Sequence, residues 1–177
     1  MILDKINKVD EAIPFYMEVL KLNPKHVKTK INLGVMYMNL TPPDSETALA
    51  LFLQVYNDDK NNFEANNNLG NVYLLKEDYL NAILYYQNAL KVDSKNLDAR
   101  SNLSRAYAKN GQYDKAKESY TELLRLNSKD WDAYIELAKV CIQLNQNNLA
   151  EGYLLTVKEK NPTFKAAEID SLLESIK

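Results

Sequence analysis

Four leucines, Leu33, Leu69, Leu103 and Leu137, recur at steps of 36, 34 and 34 residues. Each is followed by a small residue (Gly34, Gly70, Ser104, Ala138) and three positions later by Tyr37, Tyr73, Tyr107 or Cys141. A second series, Ala12, Ala48, Ala82, Ala116 and Ala150, keeps the same steps, with Tyr16, Phe52, Tyr86, Tyr120 and Leu154 four positions on. Self-similarity at such a period marks a chain built from stacked supersecondary units. Leucine, small residue and tyrosine at i, i+1 and i+4 share one side of a helix. Alanine and a bulky residue at i and i+4 put a notch and a knob on one face of the next helix. Polar turns at 76–78 (KED), 110–112 (NGQ) and 145–147 (NQN) divide the two helices, while segments such as NPK, DSKN and NSKD divide the units. Each unit is therefore predicted to be a helical hairpin of about 34 residues that buries its apolar face only against a neighbour.

These residues resemble the tetratricopeptide repeat family, whose pattern is a Leu-Gly-x-x-Tyr element, then Ala-x-x-x-Phe, then Pro. The resemblance covers essentially the whole chain. It implies an all-α fold, a right-handed α-solenoid of stacked antiparallel hairpins. The expected organisation is a partial repeat at 1–26, mainly its second helix, and repeats at 27–62, 63–96, 97–130 and 131–163. A capping helix at 164–177 follows. The repeat at 27–62 carries two extra residues, which fall in its TPPD turn at 41–44. The family's tryptophan is replaced by Lys30, Asn66, Arg100 and Tyr134, and its closing proline by Lys60, Ser94 and Ser128 in the middle units.

The ends differ. Ile2, Leu3 and Ile6 read as the last turns of a first helix whose beginning is missing, so the chain is expected to be cut from a longer array. The following helix should then expose an apolar stripe with Ile13 and Tyr16 and favour self-association. At the other end Ile169, Leu172, Leu173 and Ile176 form one apolar stripe against a polar face, which suits a cap.

Catalytic chemistry has little to stand on. His26, the single histidine, sits in a turn, and Cys141 occupies a repeat position where packing explains it. One histidine and one cysteine make no zinc cluster, so neither catalytic residue, metal nor cofactor is expected. Five of the twelve tyrosines (Tyr37, Tyr73, Tyr86, Tyr107, Tyr120) occupy repeat core positions, where packing accounts for them. A net charge of -2 and a pI near 5.5 argue against a phosphate-neutralising nucleic-acid binder. No apolar run reaches membrane-spanning length, and a single cysteine fits a reducing compartment, so a cytoplasmic protein is expected.

What remains is a surface. By the resemblance, the first helix of each hairpin lines the concave face. Inward residues there include Ile31, Asn32 and Val35, then Asn67, Asn68 and Asn71, then Asn102, Arg105 and Lys109, then Ile135, Glu136 and Lys139. A clamp for a C-terminal carboxylate, as in chaperone-binding members, is not expected, because Asp132 and Glu136 stand where its cations belong. Asn32, Asn68 and Asn102 each precede the repeat leucine and form a ladder of amides, a donor beside an acceptor, suited to a peptide backbone. This resembles the asparagine ladder in the superhelical arm of O-linked N-acetylglucosamine transferases, though the flanking motif is generic. The function expected is a non-catalytic scaffold binding an extended peptide or partner segment through Asn32, Asn67, Asn68, Asn71, Asn102, Arg105, Lys109 and Lys139. The alternative is a substrate-recognition or self-assembly module of a longer protein, for example one with a glycosyltransferase-type domain.

Overall fold

The computed structural model describes the backbone of residues 2–177 and the side chains of residues 12–177. Among these residues every regular element is a helix: α1 (Ile2–Leu22), α2 (Val27–Met38), α3 (Ser45–Asp58), α4 (Phe63–Leu75), α5 (Tyr79–Val92), α6 (Leu97–Lys109), α7 (Tyr113–Leu126), α8 (Trp131–Gln143), α9 (Asn147–Lys160) and α10 (Ala166–Ser175). The chain falls into two compact units, Met1–Ser94 and Lys95–Lys177. In the first, α2 pairs with α3 and α4 with α5, α1 packs on α2, α3 on α4, and α2 touches α4. In the second, α6 pairs with α7 and α8 with α9, α7 packs on α8, α6 touches α8, and α10 rests on α9. Hairpins stacked in chain order make this an all-α solenoid fold.

Local chemistry sets the helix ends. Side-chain oxygens of Asp44, Asn62, Asp78, Asn96 and Asp130 accept the backbone N–H three residues on, at 2.8–3.2 Å, capping α3, α4, α5, α6 and α8. Within three hairpins the turn needs a residue at positive φ, met by Glu77 (59°), Gly111 (72°) and Asn145 (58°), spaced 34 apart. Glycine takes that conformation without a Cβ penalty, which Glu77 and Asn145 must bear. The hairpin α2–α3 turns differently, through the TPPD insertion with a cis Thr41–Pro42 bond.

Notch and knob meet inside each hairpin. A Cβ built on Gly34 would lie 2.5 Å from the Phe52 ring, and one on Gly70 equally close to the Tyr86 ring. In these two hairpins the aromatic ring therefore sits against the helix backbone at the glycine, in the space a Cβ would need. Where the knob shrinks to Leu154, the notch is Ala138, and both are fully buried. Ser104 fills the third notch. Its hydroxyl donates to the Arg100 carbonyl at 2.8 Å and lies 2.8 Å from Ser119 Oγ. Of the repeat tyrosines, Tyr86, Tyr107 and Tyr120 are buried, while Tyr37 and Tyr73 are half-buried against the core of the first unit.

The N-terminal expectation needs correction. The backbone runs as one helix from Ile2 to Leu22, rather than ending a separate helix near Ile6. No glycine or proline precedes Pro14 to break it. The side chains of Ile2, Leu3 and Ile6 lie outside the described residues. Ile13 and Tyr16 are half-buried; the exposed apolar residues are instead Phe15 (74%), Met17, Val19 and Leu22 (82%). In the same register, Leu51 of α3 is half-buried and Val55 is buried beneath α2, whereas Phe15 and Val19 have no described helix over them. At the C-terminus Ile169 is buried and Leu172, Leu173 and Ile176 are half-buried, an apolar stripe on one face of α10.

Candidate functional site

The asparagines of α4 differ sharply in what they do. Asn66 is fully buried, and its Nδ2 donates to the carbonyls of Lys60 (2.9 Å) and Asn62 (2.8 Å), tying the preceding turn to the helix. Those two carbonyls fix the amide's orientation and leave Asn66 Oδ1 buried without a partner, a cost of about 1–3 kcal/mol. Asn71 Oδ1 accepts a hydrogen bond from the Tyr86 hydroxyl at 2.7 Å. Its carbonyl thus gives the hydroxyl of the buried knob a hydrogen-bond acceptor. One hairpin earlier the knob is Phe52, with no hydroxyl, and the residue in the place of Asn71 is Val35. The exchange of both members together explains Asn71 without any ligand.

Asn67 has a different history. Its repeat position is held by Ile31 and Ile135 elsewhere, and these are buried (9% and 1% exposed) rather than lining the open face as expected. The helices that carry these positions touch their neighbours along the stack, α2 with α4 and α6 with α8. Asn67 is half-buried there, its carbonyl oxygen covered and without a partner.

Asn32 on α2 and Asn68 on α4 stand at one repeat position on touching helices, and both are half-buried. Among the described residues neither amide has a hydrogen-bond partner within the chain. In the second unit Asn102 is half-buried, while Arg105 and Lys109 are exposed on the same helix. Burial holds the Tyr120 phenol well above its usual range, with Glu136 adding to the effect and Arg105 opposing it.

Lys139 is engaged rather than open. Its Nζ lies 2.7 Å from Glu136 and 2.8 Å from Glu168 of α10. Burial pulls its pKa down, but the two carboxylates outweigh this and hold it above the usual value. Lys165 likewise reaches Asp132 at 2.6 Å. The two acids that disfavour a carboxylate clamp are therefore each paired, and the pairs Lys139–Glu168 and Lys165–Asp132 link α8 to α10 and its N-cap residue.

Sequence reasoning missed the role of His26. Its Nδ1 faces the Thr29 N–H (3.2 Å) and the Thr29 hydroxyl (2.8 Å), so the imidazole caps α2 as Asn and Asp cap the other first helices. Its place three residues before Thr29, equivalent to Asn62 and Asn96, was the available signal. Cys141 is fully buried, and burial pushes its thiol pKa up, which disfavours the reactive thiolate. Among the described residues no group of His, Cys, Asp and Glu is arranged to hold a metal, and no helix is long and apolar enough to cross a membrane.

Comparison with known proteins agrees with this architecture. A family description of the tetratricopeptide repeat matches residues 73–119 and 109–176, and a second description of the same repeat matches residues 1–26. No curated protein sequence matches the chain. A crystal structure of MamA is 23% identical, with a TM-score of 0.78 over 97% of this chain and 92% of that one. MamA from Desulfovibrio magneticus RS-1 is 19% identical, with a TM-score of 0.82 over 89% and 88%. YrrB, described as a TPR protein with an unusual peptide-binding site, is 18% identical, with a TM-score of 0.80 over 96% and 86%. With the repeat matched over most of its length and its hairpins shared with these structures, the chain belongs to the tetratricopeptide repeat family.

Proposed function

We propose that this protein is a non-catalytic protein–protein interaction scaffold that grips the backbone of an extended peptide. In the first unit the grip is made by the amides of Asn32 and Asn68, beside Asn67. In the second, Asn102, Arg105 and Lys109 on α6 offer a polar, cationic patch to the same class of ligand. Interaction with other proteins is the usual role of the family, and YrrB supports a peptide as the kind of partner.

One observation carries the reading. Asn66 and Asn71 are engaged by their own chain, whereas Asn32 and Asn68 repeat on touching helices with amides that meet no partner among the described residues. An amide matches a peptide group, donor to carbonyl and acceptor to N–H, without reading side chains. Each such contact contributes about 0.5–1.5 kcal/mol, so affinity is modest and depends on several positions together. The test begins with peptides selected from a random library on the wild-type protein. Changing Asn32→Ala together with Asn68→Ala should weaken their binding about tenfold, two contacts of that size. Undiminished binding to the double variant would remove the amides from the function.

A further inference from the structure

Between α1, α2 and α3 lies an open apolar recess of about 340 Å³, lined chiefly by Met17, Leu20, Leu33, Tyr37 and Leu51, with Lys21 at its edge. The repeat supplies its counterpart one step along the first unit. Leu20 corresponds to Tyr56, Tyr37 to Tyr73 and Leu51 to Tyr85. There the space is filled. The Tyr85 ring stacks on Tyr73 at 5.4 Å and 4°, and meets Tyr56 edge-on at 5.3 Å and 81°. Two tyrosines have become leucines in the earlier interface, and the volume of their rings is what stands open.

We propose that this recess is a docking site for one aromatic side chain, tyrosine or phenylalanine, carried by an acidic segment of a partner protein. The aromatic preference follows from the internal counterpart: the same framework, a Leu33 or Leu69 floor with a Tyr37 or Tyr73 wall, already holds a phenol ring one repeat on. The acidic preference follows from charge. Lys21 is the charged side chain on the rim, and its own ion pair with Glu18 joins two mostly exposed groups (71% and 61%) one helical turn apart. Such a pair is weak and readily exchanged for a partner carboxylate. The corresponding recess in the second unit is a poor alternative. Ser119 replaces the filling tyrosine there, but Arg100, Lys115 and Glu118 line it and make it polar. The site uses none of the asparagines invoked above and stands or falls separately from them.

The test uses the intact protein and two blocked peptides, acetyl-Glu-Tyr-Glu-amide and acetyl-Glu-Ala-Glu-amide, with p-cresol as a free ring, followed by methyl NMR. The tyrosine peptide should bind at least about tenfold tighter than the alanine peptide, as expected for a buried aromatic anchor, and move the methyls of Leu20, Leu33 and Leu51. Leu51→Tyr should close the recess and abolish that response. Lys21→Glu, at an exposed side chain that leaves folding intact, should weaken the tyrosine peptide about threefold and leave p-cresol unaffected. Equal responses to the two peptides would overturn the proposal. So would p-cresol binding with no peptide response, which would assign the recess to a free aromatic compound. Dilution-dependent shifts of the same methyls without any peptide would assign it to a second copy of this chain and overturn the proposal equally.

Discussion

The hairpins α2–α3 and α4–α5 lie side by side in one unit and share a repeat, yet they solve the same packing problem differently. In the first, Phe52 seats on Gly34 opposite Val35, and Leu51 leaves the outer space open. In the second, Tyr86 seats on Gly70 and donates to Asn71, while Tyr85 completes a three-ring cluster with Tyr56 and Tyr73. The lesson is that repeat positions vary in linked sets. A polar residue on a first helix is readable as binding or structural only once the knob opposite it is known.

The largest expected effect comes from turning the second hairpin into the first. Tyr85→Leu removes two ring contacts and leaves a recess like that beside Leu51, and should cost about 2–3 kcal/mol in chemical denaturation. A change below about 0.5 kcal/mol would mean the tyrosine cluster is surface decoration and would remove the basis of the comparison.

A smaller effect separates the inner pair. Asn71→Val or Tyr86→Phe alone should each cost about 1 kcal/mol by removing the hydrogen bond between the Tyr86 hydroxyl and Asn71 Oδ1. The double change recreates the Val35–Phe52 combination and should cost clearly less than the sum, a coupling readable in a double-mutant cycle. Additive costs would show that Asn71 is present for a different reason.

The smallest effect concerns pH. Hydrogen bonds from the backbone and side chain of Thr47 hold the Asp44 carboxyl below its usual pKa. A depressed folded-state pKa gives stability that is complete above the unfolded value and is lost as pH falls through the folded one. Asp44→Asn keeps the cap oxygen but removes the titration, so its acid-unfolding profile should be slightly flatter below the ordinary carboxylate range. An unchanged slope would show that the α3 cap does not contribute to the acid sensitivity of this hairpin.

Much of the fold was legible because it rests on local chemistry. The 34-residue step, the Leu-small-x-x-Tyr and Ala-x-x-x-aromatic pairs and the Asn and Asp caps each act within a few residues of themselves. Helical periodicity is therefore enough to place the notch and knob of each hairpin, but not every flanking position: Ile31 and Ile135, expected on the open face, are buried. The first helix shows the limit. A repeat-based offset put a break near Ile6, but the local sequence holds nothing that stops a helix, and none stops there. The exposed stripe moved accordingly from Ile13 and Tyr16 to Phe15, Val19 and Leu22.

By itself, then, the sequence determined the class of element, the order of the hairpins and the notch and knob that join each pair, since all of these follow from spacing along one helix. Only the tertiary structure decided which of several neighbouring asparagines serve the fold. Asn66 reaches back to the turn and Asn71 meets a hydroxyl 15 residues away, while Asn32 and Asn68 meet no partner among the described residues. Only the tertiary structure showed, too, that Tyr85 fills a space Leu51 leaves open. Both distinctions depend on distances between side chains on different helices, and no periodicity along a single helix encodes those.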